Sequence, residues 1–212
     1  MFRWVLIGIG AVCGPACGSV TWTFDADAMG WSTLNDARDF AWDGVLGQPA
    51  GAIRARDVGD GRIWYFAAPV VDVSNAASMY GGTIGWDALG IQGNQTSISA
   101  RADVMLVGAG LEIGLSVSEV PNNTTWTSWA ASVSAAAGWE TISSLENGEL
   151  SGVAATEADI RAVLGDLQGL YIRGEFTNGA DQSALDNVYF VPAPAGAALL
   201  AIGGMGVSRR RR

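Results

Sequence analysis

The chain has 212 residues, 49% of them hydrophobic, enough to bury one sizeable core and more in keeping with one domain than with two. Arg3 and Arg209 to Arg212 supply five of the 12 basic residues, so the stretch between them sets seven arginines against 21 acidic residues, a net charge of −14. That balance argues against nucleic acid as a partner, because neutralising phosphates needs clustered cations, and the absence of lysine and histidine excludes Schiff-base lysines, histidine bases and histidine metal ligands.

Residues 1–18 read M-F-R-W-V-L-I-G-I-G-A-V-C-G-P-A-C-G. One arginine, an apolar stretch from Trp4 to Val12 and small residues up to Gly18 form the layout of a secretory signal peptide, too short to span a bilayer as a stable helix. Cleavage after Ala16 and after Gly18 both suit the small residues there. Cys17 opens a lipoprotein alternative, against which Gly14-Pro15-Ala16 lacks the Leu-type residue that precedes a lipidated cysteine. Cleavage after Gly18 removes both cysteines, leaving a mature protein without a disulfide on a route that would permit one.

From Val20 the hydrophobic period is two, and Val20, Trp22 and Phe24 share one face of a first strand. D-A-D-A-M-G-W is a turn, and the acidic, Gly-rich segment up to Pro49 is expected as a long loop with one short strand at most, which would leave Trp31 and Trp42 exposed. Ile53 to Val58 alternates weakly, and Gly59-Asp60-Gly61 has the composition of a hairpin turn into the aromatic strand Trp64-Tyr65-Phe66, which Pro69 ends. Tyr80, Thr83, Ile84 and Trp86 rebuild a strand after Gly81-Gly82, a pair suited to tight turning or close backbone approach. These two strands are expected as neighbours in one antiparallel sheet.

Further on, Thr96 to Val107 and Leu111 to Val117 alternate around Gly108-Ala109-Gly110 as a hairpin, and Trp126 to Val133 adds a strand with Trp126 and Trp129 on opposite faces. Thr156 caps a short helix, with Asp159 in a capping-box place, Ile160, Val163 and Leu164 as its apolar stripe and Gly165 as its stop. Leu170 to Phe176 and Leu185 to Val191 finish as strands. Short strands at regular spacing with one brief helix specify an all-β fold, an antiparallel β-sandwich of jelly-roll type.

W-Y-F-x-A-P at 64–69, Y-G-G at 80–82, T-E-A-D-I-R-A-V-L-G-D-L-Q-G-L-Y-I-R-G-E-F-T-N-G at 156–179 and L-D-N-V at 185–188 stand in the order in which they occur in the laminin B (laminin IV) domain, which the chain resembles over residues 22–190. The resemblance implies a sandwich like those of galactose-binding and carbohydrate-binding modules. At the other end, V-P-A-P-A-G-A-A-L-L-A-I-G-G-M-G-V-S-R-R-R-R resembles the bacterial PEP-CTERM sorting signal, with Ala193 where that motif has Glu. This second resemblance implies processing by an exosortase-type enzyme and a place on the cell surface, outer envelope or extracellular matrix of a Gram-negative-type bacterium. The apolar run from Ala195 to Val207 is shorter than the ~20 residues of a comfortable span, which suits transient membrane association with the arginines cytoplasmic; the other reading is an ordinary C-terminal anchor. The expected organisation is a signal peptide over 1–18, a laminin-B-like domain over 19–191 and a sorting tail over 192–212.

Chemistry is left to carboxylates, hydroxyls and aromatic rings. Asp25 with Asp27, Asp57 with Asp60 and Glu146 with Glu149 are near pairs of the kind glycoside hydrolysis uses across a cleft, and equally of the kind that caps solvated turns. No nucleophile-elbow or zinc-protease motif occurs. Calcium is the better use of the acids, since hard cations take carboxylate and carbonyl oxygens. Asp25 follows the first strand and Asp186 enters the last, and the likeness to carbohydrate-binding jelly rolls implies a calcium ion where terminal strands meet; the alternative is that Asp186-Asn187 caps a turn. Trp22, Trp64 and Trp86 are expected in the core. The expected function is a non-catalytic exported module that binds a polysaccharide or matrix component or acts in adhesion, with a small secreted carboxylate-dependent polysaccharide-active enzyme as the alternative.

Overall fold

The computed structural model describes residues 18–193, apart from 74, 93–97, 99, 118–120 and 122–124. The signal segment up to Cys17 and the tail from residue 194 lie outside the described residues. In chain order the elements are β1 (Val20–Trp22), β2 (Ser32–Leu34), β3 (Ala37–Asp43), β4 (Ala52–Asp57), β5 (Tyr65–Ala67), β6 (Thr83–Gln92), β7 (Val104–Gly108), β8 (Leu111–Leu115), β9 (Thr127–Ser132), β10 (Glu140–Ser144), β11 (Glu149–Ala154), α1 (Glu157–Gly165), β12 (Leu167–Arg173) and β13 (Gln182–Val191). Among these residues no helix is long and apolar enough to cross a membrane.

Two antiparallel sheets result. The first runs β3-β4-β13-β6-β9, with β1 also paired to β13; the second runs β11-β10-β8-β7-β12-β5-β2. The last strand is therefore central to the first sheet. Along one edge β13 pairs β4 as far as Leu185↔Ile53 and then β1 from Val188↔Trp22, and along the other it pairs β6 almost throughout. First and last strands meet, as the resemblance to jelly-roll sandwiches implied.

The inward faces of the sheets enclose Trp22, Trp64, Trp86, Trp139, Phe24, Phe66 and Phe190, all fully buried. Each such side chain contributes about 1.5–3 kcal/mol of burial. Edge-on ring contacts lock them together: Trp22 to Trp31 at 5.3 Å, Phe24 to Trp31 at 5.7 Å and Trp64 to Phe66 at 4.9 Å between centroids. Trp31 is thus a core residue, only 4% exposed, because the turn after β1 folds it back between Trp22 and Phe24. Trp129 is buried and Trp126 half-exposed, in line with their odd spacing on one strand.

The helix forms where its caps stand. Thr156 Oγ1 accepts from the Asp159 amide while the Asp159 carboxylate accepts from the Thr156 amide, and Ile160, Val163 and Leu164 go into the core. Besides the expected exposure of Trp31, which its place in the core overturns, three sequence readings need correction. The segment up to Pro49 holds two strands, β2 and β3, and alternation in β3 is masked by a register shift between Arg38 and Ala41, where Asp39 has φ +53°. Strands β5 and β6 lie in opposite sheets, because Pro69 and two short 3₁₀ turns carry the chain across the sandwich. Gly59 to Gly61 likewise crosses between sheets, and is no hairpin turn. Gly82 serves close approach: a Cβ there would sit 2.1 Å from the Val191 carbonyl oxygen. Residues 140–154 add a hairpin, β10 with β11, that the sequence reading had left unassigned.

Candidate functional site

The two outward faces differ. On the second sheet, Ile63, Tyr65, Ala102 and Met105 form a small outer core with Leu34, Ile98, Ile142, Leu145, Leu150 and Tyr171 packed on it. The Tyr65 hydroxyl donates to the Ala102 carbonyl at 3.0 Å, and the Asn35 amide ties the carbonyls of Ile63 and Glu146. A Cβ on Gly114 would collide with Ala102 and Ile142, which shows how closely that cover lies on the strands. This face is sealed by its own chain.

The outward face of the first sheet has no such second core among the described residues, and the loop after β3, through Gln48, covers it in part at Asp186. Strand alternation turns Asp87, Leu89 and Ile91 of β6, Arg54 and Arg56 of β4, and Gln182 and Tyr189 of β13 away from the core. The Tyr189 ring lies over Gly85, so near that a Cβ on Gly85 would sit 2.1 Å from Tyr189 Cζ. Beside β4 a shallow groove of about 300 Å³ is lined by Asp43, Val45, Leu46, Arg54, Ile91 and Gln182. Arg54 Nε pairs with Asp43 Oδ2 at 3.1 Å across its wall, and the Val45 and Leu46 amides, ahead of Arg54, hold the Asp43 carboxyl below the usual range. Trp42 is 40% exposed at the neighbouring edge, with its indole N–H on the Phe24 carbonyl at 2.6 Å. An aromatic ring, an apolar strip and a few fixed polar groups on an open surface are what a binding face for a polar polymer needs.

Asp186, one of the two acids singled out from sequence, sits in the gap where β4 stops pairing with β13 and β1 has not yet begun. The loop after β3 enters that gap. The Gln48 amide donates to Asp186 Oδ2 at 2.9 Å, the Asn187 amide donates to Asp186 Oδ1 at 2.7 Å, and Asn187 adopts φ +49°, a conformation asparagine tolerates. On the other side Asp186 faces Asp87 directly across β6, a like-charged cross-strand pair. The Asn187 side-chain nitrogen bridges them, with Gln48 O and Asp87 Oδ2 both at 2.9 Å and Asp186 Oδ2 at 3.3 Å.

Asp25 stays exposed, its Oδ2 accepting from the Thr23 hydroxyl at 2.8 Å, and reaches Asp186 through its charge with no hydrogen bond to it. The intervening loop explains the approach, since Gly51 packs against Phe24 and Asp25 while Gln48 touches Asp186. Burial lifts the Asp186 carboxyl to about 6, with Asp87 and Asp25 adding to the rise and the two amide bonds opposing it. The structure therefore brings Asp25 and Asp186 into one neighbourhood and adds Asp87 and the Gln48 carbonyl to it.

A second carboxylate group escaped the sequence reading. Asp36 before β3, Asp57 at the end of β4 and Glu175 after β12 place one oxygen each within 4.8 Å of one another, and all three are buried. Burial, followed by the charges of Asp57 and Asp36, pushes Glu175 up to about 8; burial, then Asp60, lifts Asp36 to about 6. Asp57 was paired with Asp60 on sequence proximity, but Asp57 points into the cluster while Asp60 is held by Arg62. Of the other near pairs, Asp27 Oδ1 accepts from the Met29 amide in a turn. No spacing signal links positions 36, 57 and 175; only the topology does.

Residues 65–199 match the family model Laminin B (Domain IV), a span of more than half the chain. The chain belongs to the laminin B family. No curated protein matches it in sequence. Among solved structures, this laminin B protein is similar to the L4b domain of human laminin alpha-2, with a TM-score of 0.55 and 12% identity over 82% of this chain and 98% of that one. It is also similar to CtCBM11, with a TM-score of 0.52 and 12% identity over 85% and 98%. The family 11 carbohydrate-binding module of the cellulosomal cellulase Lic26A-Cel5E of Clostridium thermocellum follows at 0.47, with 14% identity over 84% and 96%. At these identities the likeness concerns the fold, and it agrees with the jelly-roll sandwich expected from the strand pattern.

Proposed function

We propose that this protein is an exported, non-catalytic module of the cell surface, outer envelope or extracellular matrix of a Gram-negative-type bacterium, and that it binds a polysaccharide or matrix polymer along the outward face of the first sheet. The observation that carries the reading is the contrast between the sheets: one is sealed by a second small core, the other presents Tyr189, Leu89, Ile91 and the Asp43–Arg54 groove. A fold shared with a carbohydrate-binding module supports the ligand class. Catalysis is disfavoured because the carboxylate cluster found among the described residues is buried, with Asp36, Asp57 and Glu175 at 4%, 5% and 6% exposure, where no glycosidic bond could reach it.

Export rests on the leader over 1–18, and exosortase-type processing with transient membrane association rests on the tail over 192–212. Calcium belongs to the same reading. Asp186 and Asp25, joined by Asp87 and the Gln48 carbonyl, offer hard oxygens, and the convergence of three of these oxygens on the Asn187 side-chain nitrogen, which an ion would displace, supports the reading that positive charge is drawn there. The residues fit the ion. Bound there, calcium would neutralise the facing carboxylates of β13 and β6 and fasten the loop after β3 into the gap.

Binding is checked by affinity electrophoresis of the full-length chain in gels containing neutral and acidic polysaccharides. Retardation by at least one polymer is expected, with Tyr189→Ala and Arg54→Ala each weakening it about tenfold. Unchanged retardation in both variants, or release of reducing ends from the polymer, contradicts the reading. For export, intact-mass measurement of protein recovered from cells should give a chain lacking the leader and the tail; an intact Met1 to Arg212 chain in the cytosol is the opposing result. For calcium, ion at about 100 times its dissociation constant should stabilise the fold by roughly 2.7 kcal/mol, a rise of several degrees in Tm. Asp186→Asn should remove most of the contribution of that ion. A wild-type Tm indifferent to both calcium and chelator contradicts it.

A further inference from the structure

We infer that Asp36, Asp57 and Glu175 form a second divalent-cation site, separate from Asp186 and suited to a hard ion of the calcium class. The three carboxylates come from the connection into β3, the end of β4 and the connection from β12 to β13, so an ion among them would clasp three chain segments at one end of the sandwich. Each also fixes a backbone amide: Asp36 Oδ2 takes Asp60 N–H at 3.3 Å, Asp57 Oδ1 takes Gly59 N–H at 2.5 Å and Glu175 Oε2 takes Trp64 N–H at 3.3 Å. These bonds set the carboxylates in place, and they leave Asp36 Oδ1 fully buried with no hydrogen-bond partner. A buried carboxylate oxygen that has lost water and gained no donor is costly unless a cation meets it.

No nearby arginine among the described residues pairs directly with these carboxylates, and Arg62 reaches Asp36 only through its charge. Arg62 is committed to Asp60, and Arg173 to Asp103 at 3.3 Å and to the carbonyls of Glu175 and Ile98. Among the described residues no arginine pairs with Asp36, Asp57 or Glu175. Three oxygens within 4.8 Å of one another can share one ion, since calcium holds oxygens at about 2.3–2.6 Å and so spans roughly 5 Å between opposite ligands. Backbone carbonyls and water complete such a shell. The site is remote from Asp186: the Asp57 amide bonds the Asp181 carbonyl, and Asp186 stands five positions farther along the strand, roughly 17 Å at ~3.4 Å per residue. Burial of all three side chains makes the role structural.

The rival account is that the cluster is kept neutral by protons. Counting ions decides between them. Full-length wild-type, Asp186→Asn, Glu175→Gln and Asp36→Asn chains are stripped with chelator, titrated with Ca²⁺ at neutral pH and assayed by equilibrium dialysis, with melting followed in parallel. The site predicts one bound ion in Asp186→Asn, with a calcium-dependent rise in Tm of several degrees, and one ion fewer than wild type in Glu175→Gln and in Asp36→Asn. In chelator these last two should melt at or above wild type, because each puts a neutral amide of the same shape where a buried carboxyl is costly to ionise, so lost binding is distinguishable from lost folding. Asp186→Asn that binds no ion, or Glu175→Gln and Asp36→Asn that both keep the wild-type count, overturns the site.

Discussion

The structure depends on the insertion of the last strand into the middle of the first sheet. Strand β13 hydrogen-bonds β4 and then β1 along one edge and β6 along the other, so three separate parts of the N-terminal half are joined only when the C-terminal end arrives. Contacts of such long sequence separation make for slow, highly cooperative folding. They also leave one weak point. Two strands sharing one edge of a third must leave a gap between them, and the gap falls at Asp186-Asn187, where backbone groups need partners from outside the ladder. The loop carrying Gln48 fills it, which is why an apparently irregular stretch after β3 is fixed in place.

Acidic residues gather at both ends of this arrangement, and the reason is geometric. Asp57 and Asp181 flank the start of β13, Asp186 and Asp87 face each other farther along it, and Asp25 and Asp36 arrive through connections that pack beside the same strand. Arginines answer some of these charges, as where Arg173 meets the buried Asp103 at 3.3 Å. Their ion pairs do not reach Asp186 or the Asp36–Asp57–Glu175 group, and burial lifts the carboxyls of Asp186, Asp36 and Glu175 well above their ordinary range. Divalent cations, as proposed above, would reconcile an acidic chain with a tight sandwich without requiring more arginine. Arg54 and Arg56 have no core duties and stand on the outward face of the first sheet.

Much of the sandwich was legible because its strands alternate. Val20, Trp22 and Phe24, the hairpin of β7 and β8, the odd spacing of Trp126 and Trp129, and the Thr156–Asp159 box each carry a local rule that survives folding. What local rules could not carry was the choice of sheet. Trp64-Tyr65-Phe66 and Thr83 to Trp86 look like adjacent strands in sequence, yet Pro69 and two short 3₁₀ turns, Val70–Asp72 and Ala76–Met79, are enough to place them on opposite layers. Strand β3 was hidden by its bulge and by its exposed edge position. Asp186 could be singled out because it enters a strand beside a turn-forming asparagine. Asp36, Asp57 and Glu175 could not, since 21 and 118 residues separate them in turn and only the closing of β4 against β13 brings them together. Tyr189 carries no local signal either, since its outward place follows from the irregularity between Asp186 and Tyr189, while six of the eight described tryptophans go into the core.

The most direct measurement of the central place of β13 is native-state amide hydrogen exchange across the full-length chain. Amides of Ala184, Leu185 and Phe190 are expected to exchange only through global unfolding, at the same free energy as those of Ile84 and Trp86 in β6, while β3 at the sheet edge exchanges through smaller openings. Exchange of the β13 amides at the rate of β3, with β4 and β6 still protected, would contradict the account by showing a sheet that holds together without its last strand.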